Sequence, residues 1–134
     1  MSAGISLQPV GHMLVVTFES GLFSRSTSLT PDAKHVLSAL GWHLQPSIGR
    51  VAVHVIGHTD DQPLPGRNSY RDNEALGLAR AVAVVEHMRT TAQLPGTMFS
   101  IGSLGASQTP YPNDTSSNRA RNRTVVLQVV ARTK

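Results

Sequence analysis

Between residues 57 and 85 the chain reads GHTDDQPLPGRNSYRDNEALGLARAVAVV, opening on an acidic pair and closing on an almost wholly apolar run. Asp60 and Asp61 supply the acids. In ALGLARAVAVV, residues 75–85, Arg80 is the only polar side chain. Three readings of that cation stand open. Its stem can lie along apolar surface while its head reaches water, it can close a structural salt bridge, or it can line a pocket as a binding group. A carboxylate and a guanidinium held slightly apart match a zwitterion. Asp60 would take an ammonium and Arg80 a carboxylate, through charge-assisted bonds roughly twice as strong as neutral ones.

Other chemistries fit these residues less well. Paired carboxylates for glycosidic hydrolysis need a fixed separation across a cleft, whereas adjacent side chains at a strand end point to opposite sides. No nucleophile elbow or phosphate-cradling glycine loop is present, so no catalysis and no cofactor are expected. His54 and His58, on a strand, stand about 13 Å apart, too far for one metal ion. His58 is expected instead to order the turn before Asp60 through a hydrogen bond. Arg119, Arg121 and Arg123 with Arg132 form a basic cluster. Nucleic-acid binders interleave aromatics or present a helix to a groove, and none of the six aromatic residues falls inside this cluster. A solvated face, or ion pairs and caps around Asp114, is expected there, with no nucleic-acid partner. Trp42 suits the core or an interface edge better than a sugar platform.

The elements that must hold these residues follow from pattern. HMLVVTF (12–18) reads as a strand by its β-branched and aromatic content. Residues 28–47 read as a helix, with Thr30 as N-cap, Pro31 at the first helical position and Val36, Leu37, Leu40 and Leu44 as its apolar stripe. Pro46, lacking an amide hydrogen, ends it. RVAVHVIG (50–57) alternates Val51, Val53 and Val55 against Ala52, His54 and Ile56, and its largely apolar faces predict an interior strand. Pro63, Pro65 and Gly66 oppose regular structure in the loop from His58 to Arg71. A helix over 72–90, a strand over 98–104, a short helix or turn over 117–123 and a strand over 124–131 complete the chain.

The order β-α-β-α-β-(α)-β predicts an α+β sandwich, a mixed four-stranded sheet with helices packed on it. Asp60 follows an interior strand at its carboxyl end, where ligands collect in open α/β sheets. Packing of the second helix against that strand would bring Arg80 towards Asp60.

Composition sets the outer bounds. A chain of 134 residues, 40% hydrophobic and 15% charged, is one globular domain over 1–134. Its apolar runs are shorter than the ~20 residues of a membrane-spanning helix, and no signal peptide is visible at the N-terminus. With no cysteine, disulfides and thiolate metal sites are ruled out, which suits cytoplasm or periplasm without choosing between them. A net charge of +4 and a pI near 10.4 favour an acidic partner. Ten arginines stand against two lysines, Lys34 and Lys134, and only arginine offers a planar fork for carboxylate or phosphate.

Three segments, VHVIGHTD, DNEALGLARAVAVV and PYPNDTSSNRARNRTVVLQV, resemble the C-terminal peptidoglycan-binding domain of the outer-membrane protein A (OmpA-like) family over about residues 10–131. The family's GHTD falls on Gly57, His58, Thr59 and Asp60. Its N-x-x-L-S-x-x-R-A helix falls on Asn73, Leu76, Arg80 and Ala81. Its P-x-x-N-x-T-x-x-x-R-x-x-N-R-R-V segment falls on Pro110, Asn113, Thr115, Arg119, Asn122, Arg123 and Val125.

The resemblance implies that Asp60 and Arg80 hold the ammonium and carboxylate of meso-diaminopimelate in the peptidoglycan stem peptide. Thr59, Asn73, Leu76 and Arg123 are implied to line or support the pocket. It further implies a non-catalytic periplasmic anchor, tethered to a membrane by a segment outside this chain, with envelope or secretion-complex proteins as partners and room for a homodimer. The stretch TDDQPL with its long loop, and SGLFSRSTSLTP near the N-terminus, resemble flagellar stator and type VI secretion members, with a lean to the latter. The rival expectation is a scaffold or dimerisation domain with a degenerate pocket. Three positions depart from the pattern: Gly77 replaces a serine, Asn118 a glycine and Thr124 the second arginine of the Asn-Arg-Arg triplet.

Overall fold

The computed structural model describes residues 4–24, 26–62, 64 and 70–132. Along the chain run β1 (Ile5–Val10), β2 (Met13–Phe18), α1 (Pro31–Leu44), β3 (Val51–His58), α2 (Asn73–Ala92), β4 (Phe99–Gly105), α3 (Ser116–Asn122) and β5 (Val125–Ala131). The strands form one sheet in the order β1-β2-β5-β3-β4. β3 and β4 are parallel, joined through α2, and every other pairing is antiparallel. The mixed sheet and its packed helices agree with expectation, but the sheet has five strands rather than four. The added strand, β1, carries Pro9 and little alternation, so pattern alone did not mark it. Gly11, with φ +61°, turns the chain back in a two-residue hairpin that pairs Val10 with Met13.

The helix signals operate as their chemistry requires. Thr30 caps α1 by accepting from the amide of Ala33 (3.1 Å), and Pro31 stands in the first turn. Pro46 lies in a 3-10 turn, Gln45–Ser47, that closes the helix. Asp72 caps α2 by accepting from the amide of Ala75 (2.8 Å). Thr115 caps α3 by accepting from the amide of Asn118 (3.0 Å), so the ambiguous 117–123 segment is a helix. Pro63, Pro65 and Gly66 lie outside the described residues.

The core sits on one face of the sheet. Val53, Val55, Val16, Phe18, Val125 and Leu127 point into it, against Leu37 of α1 and Ala81, Val84 and Met88 of α2. On the opposite face Ala52 and Val130 are exposed and His54 and Ile56 half-buried. β3 is interior, as its sequence predicts, between β5 and β4. Trp42 is 53% exposed on α1, outside the core.

One close approach sets where α2 lies. A Cβ on Gly57 of β3 would collide with the carbonyl of Gly77, and a Cβ on Gly77 would strike the Ser103 hydroxyl and stand 3.1 Å from the carbonyl oxygen of Gly57. Backbone therefore meets backbone at the end of β3, which explains a glycine inside a helix despite its cost of about 1 kcal/mol relative to alanine. Ser103 reaches across from β4, donating to the carbonyl of Glu74 (2.7 Å) and accepting from the amide of Gly105 (3.2 Å).

Candidate functional site

The end of β3 is fastened on both sides before it releases its acidic residues. The amide of His58 donates to the carbonyl of Thr124 (2.9 Å), and the amide of Thr59 to that of Gly105 (2.9 Å). Thr59 is buried, its hydroxyl donating to the carbonyl of Asp60 (2.9 Å). The Asp60 carboxylate is thereby delivered to a fixed place. Its Oδ1 accepts from the amide of Gln62 (3.1 Å), and its Oδ2 accepts from Nη1 of Arg123 (2.9 Å).

Arg80 comes to the same place from α2. Its side chain is 1% exposed. Nε donates to the carbonyl of Ser26 (2.8 Å), Nη1 to the carbonyl of His58 (3.2 Å), and the guanidinium lies 5.2 Å from the ring centroid of Phe23. Burial pushes its pKa down to about 10, with Asp60 raising it, Arg123 lowering it and Tyr70 raising it. The group stays cationic at neutral pH, within the field of Asp60. Burial of the head removes the reading in which Arg80 reaches water. Arg80 is enclosed by the carbonyls of Ser26 and His58 and the Phe23 ring, and Asp60 forms an ion pair with Arg123. The physical reason is that a buried cation must find acceptors, and the carbonyls of Ser26 and His58 are within reach.

Around this pair three buried polar atoms lack a hydrogen-bond partner among the described residues: His58 Nδ1, Asn73 Oδ1 and Arg123 Nε. Asn73, the first residue of α2, uses its amide nitrogen to reach the carbonyl of Gln62 (3.4 Å). Asp60, Thr59, Asn73, Arg80 and Arg123 are therefore assembled at one site, linked through Gln62 and His58. Leu76 is buried one helical turn before Arg80, outside the main apolar cluster. The expectation that the His58 ring orders the turn is not met. Its Nδ1 carries no bond among the described residues, and His58 orders the site through its main chain instead. Burial lowers the pKa of this ring to about 4, leaving it neutral.

The other acid diverges, as adjacent residues at a strand end should. Asp61 pairs with Nε of Arg119 (3.0 Å), whose Nη2 donates to the carbonyl of Asn113 (3.2 Å). The two carboxylates thus engage different arginines. Arg121 lies 5.2 Å from the ring centroid of Tyr111. Asn118 donates to Asp114 (2.9 Å), so a side chain at this position braces the start of α3. Thr124 is buried with its carbonyl on His58, a position with no room for a solvated arginine. His54 bonds Ser100 (2.8 Å), and among the described residues no group of three potential ligands is placed to hold a metal.

Sequence reasoning missed Phe23, Ser26 and Gln62. Ser26 and Gln62 act through main-chain groups, which leave no signature in residue type. Phe23 sits in the segment SGLFSRS, which was read only as a resemblance to stator and secretion members, with no role given to its ring.

A family model described as the OmpA family matches residues 22–123. A search of curated protein sequences finds no significant match. Among solved structures, the periplasmic domain of Helicobacter pylori MotB superposes with a TM-score of 0.84 at 21% identity, over 97% of this chain and 83% of that one. A putative MotB-like protein from Desulfovibrio vulgaris gives 0.80 at 24% identity, over 96% and 82%. The cell wall anchor of the T6SS (type VI secretion system) from Pseudomonas aeruginosa gives 0.76 at 25% identity, over 96% and 88%.

Proposed function

The chain belongs to the OmpA family, and on that premise we propose that it is a non-catalytic periplasmic anchor that grips peptidoglycan through the diaminopimelate of its stem peptide. It would fasten a membrane-associated complex to the wall, and a type VI secretion system is the assembly we favour over a flagellar stator. The similar structures from Helicobacter pylori and Pseudomonas aeruginosa, a periplasmic domain and a cell wall anchor, support the wall-bound setting. Among the described residues no helix is long and apolar enough to cross a membrane.

The observation that carries the reading is the convergence of Asp60 and Arg80 at the carboxyl end of β3, beside Arg123 Nε and Asn73 Oδ1, a buried donor and acceptor without partners among the described residues. An ionised carboxylate has about four lone-pair sites, and the bonds from Gln62 and Arg123 take one on each oxygen of Asp60. A guest ammonium can therefore join Arg123 on Asp60. A guest carboxylate would meet Arg80 by taking the place of the Ser26 carbonyl, which belongs to an exposed loop residue. Thr59 and Leu76 support the wall of the site.

The test is retention on purified sacculi together with titration of a diaminopimelate-containing muropeptide. Asp60→Asn removes the charge and keeps the shape. It is expected to weaken binding by about 2–5 kcal/mol, and chemical denaturation of the same variant measures the stability lost with the Arg123 pair. Full retention by Asp60→Asn would overturn the site. A second reading has its own observation. The closed Asp60–Arg123 pair and the enclosed Arg80 suit a scaffold whose pocket is degenerate, and a muropeptide titration without heat or shift in the parent protein would favour it.

A further inference from the structure

The molecule has two unlike ends. Asp60 and Arg80 belong to the end where β3 finishes and α2 begins. At the opposite end three connections meet. Residues 45–50 lead from α1 into β3, and the amide of Arg132, just past β5, donates to the carbonyl of Arg50 (2.8 Å). The Gln45 side chain donates to the carbonyl of Ala92, the last residue of α2 (3.1 Å). With β3 eight residues long, the two ends stand about 25 Å apart.

Charge is divided between these ends. The chain has eight acidic residues, yet segments 33–59, 87–113 and 115–134, which build most of the far end, contain none. Glu86, in the second half of α2, is already paired with Arg89 (3.0 Å). Arg50 and Arg132 are exposed there and make no ion pair among the described residues. Large apolar side chains are exposed at the same end: Trp42 at 53%, Ile48 at 39% and Val130 at 39%. Trp42 stands in the last turn of α1, Ile48 on the connection into β3, and Val130 opposite Ala52 on the uncovered face of the sheet.

We infer that this end docks on an anionic phospholipid bilayer. The arginine fork of Arg50 and of Arg132 matches lipid phosphate. A tryptophan joins an apolar body to a polar N–H, and it settles where headgroups meet acyl chains. Ile48 and Val130 add apolar area from a loop and a strand, and neither lines the cleft between β1 and α1. A fluid bilayer moulds itself to such a dispersed surface, whereas a folded protein partner needs a matching shape. The attraction of anionic lipid fades within a Debye length. Only the end that touches the membrane feels it, while Asp60, Asp61, Asp72 and Glu74 at the other end are turned away. The docked domain holds Asp60 and Arg80 about 25 Å above the lipid. This inference goes beyond the wall-binding reading and does not depend on it.

Vesicles of phosphatidylglycerol with phosphatidylethanolamine test it, with phosphatidylcholine vesicles as the neutral comparison. In about 0.1 M salt the parent chain is expected to co-sediment with the anionic vesicles only, and to be released at about 0.5 M. Trp42 is the only tryptophan, so its emission should move to the blue as the anionic vesicles bind. Arg50→Glu combined with Arg132→Glu should weaken binding by at least about tenfold. Lys34→Glu combined with Arg71→Glu lowers the net charge equally near the starts of α1 and α2, and should bind as the parent does. A parent that ignores anionic vesicles, or equal losses in the two double variants, overturns the proposal. So does a Trp42 shift produced by polyglutamate and by no vesicle, which would assign this end to an acidic protein. Circular dichroism of both double variants confirms that the fold is retained.

Discussion

Arg80 is where a single residue answers for both stability and binding. Its burial at 1% exposure leaves two carbonyls, those of Ser26 and His58, dependent on its hydrogens. Removing the side chain opens a cavity under Phe23 and strands the buried carbonyl of His58, a loss of about 1–3 kcal/mol for the acceptor alone. Arg80→Ala is therefore expected to lose about 3 kcal/mol of stability or more, measured by chemical denaturation. Loss of sacculus binding in that variant would not by itself identify a binding role, whereas Asp60→Asn removes a charge that the guest would meet without opening a cavity. The sequence made Arg80 conspicuous because a lone cation in an apolar run needs a reason. It could not say which atoms supply that reason, because main-chain carbonyls are the same in every residue.

At the scale of elements, the contact between β3 and α2 governs where Arg80 arrives. Gly57 and Gly77 meet backbone to backbone, and Gly57→Ala is expected to cost about 3 kcal/mol, since the obstacle is main chain rather than a movable side chain. Gly77 is different. The obstacle there is the Ser103 hydroxyl, the flexible end of a side chain that ties β4 to the first turn of α2. Gly77→Ser alone should destabilise, and Gly77→Ser with Ser103→Gly should recover part of the loss. A double-mutant cycle measured by thermal denaturation should give a coupling of about 1 kcal/mol or more. The helix starts and stops were legible because Thr30, Pro31, Asp72 and Thr115 act on backbone within a turn of themselves. β1 was not, because an edge strand pairs on one side and is exposed along most of its length, so burial imposes little alternation on it.

For the whole molecule the pH dependence of stability should carry the mark of His58. Its folded pKa is lowered to about 4 from 6.5 by burial. Between those values the unfolded chain binds a proton there that the folded chain refuses, so stability is full above about pH 6.5 and falls as pH drops towards 4. The loss attributable to this residue is on the order of 3 kcal/mol. Denaturation at pH 7 and pH 4.5 should show a smaller difference in His58→Gln than in the parent. An unchanged difference would count against a buried neutral ring.

The amino-acid sequence by itself determined the order of the helices and of every strand but β1, the interior position of β3 and the identity of the charges at its end. Those depend on periodicity, caps and residue type, which act over a few neighbours. Tertiary structure decided that Asp60 is clasped by Arg123 while Asp61 goes to Arg119, that Arg80 is roofed by Phe23, and that an uncharged strand closes the sheet's edge. Each of those pairings joins residues far apart in the chain. Which cation reaches which acid is fixed only when the sheet order and the depth of helix packing set the distances.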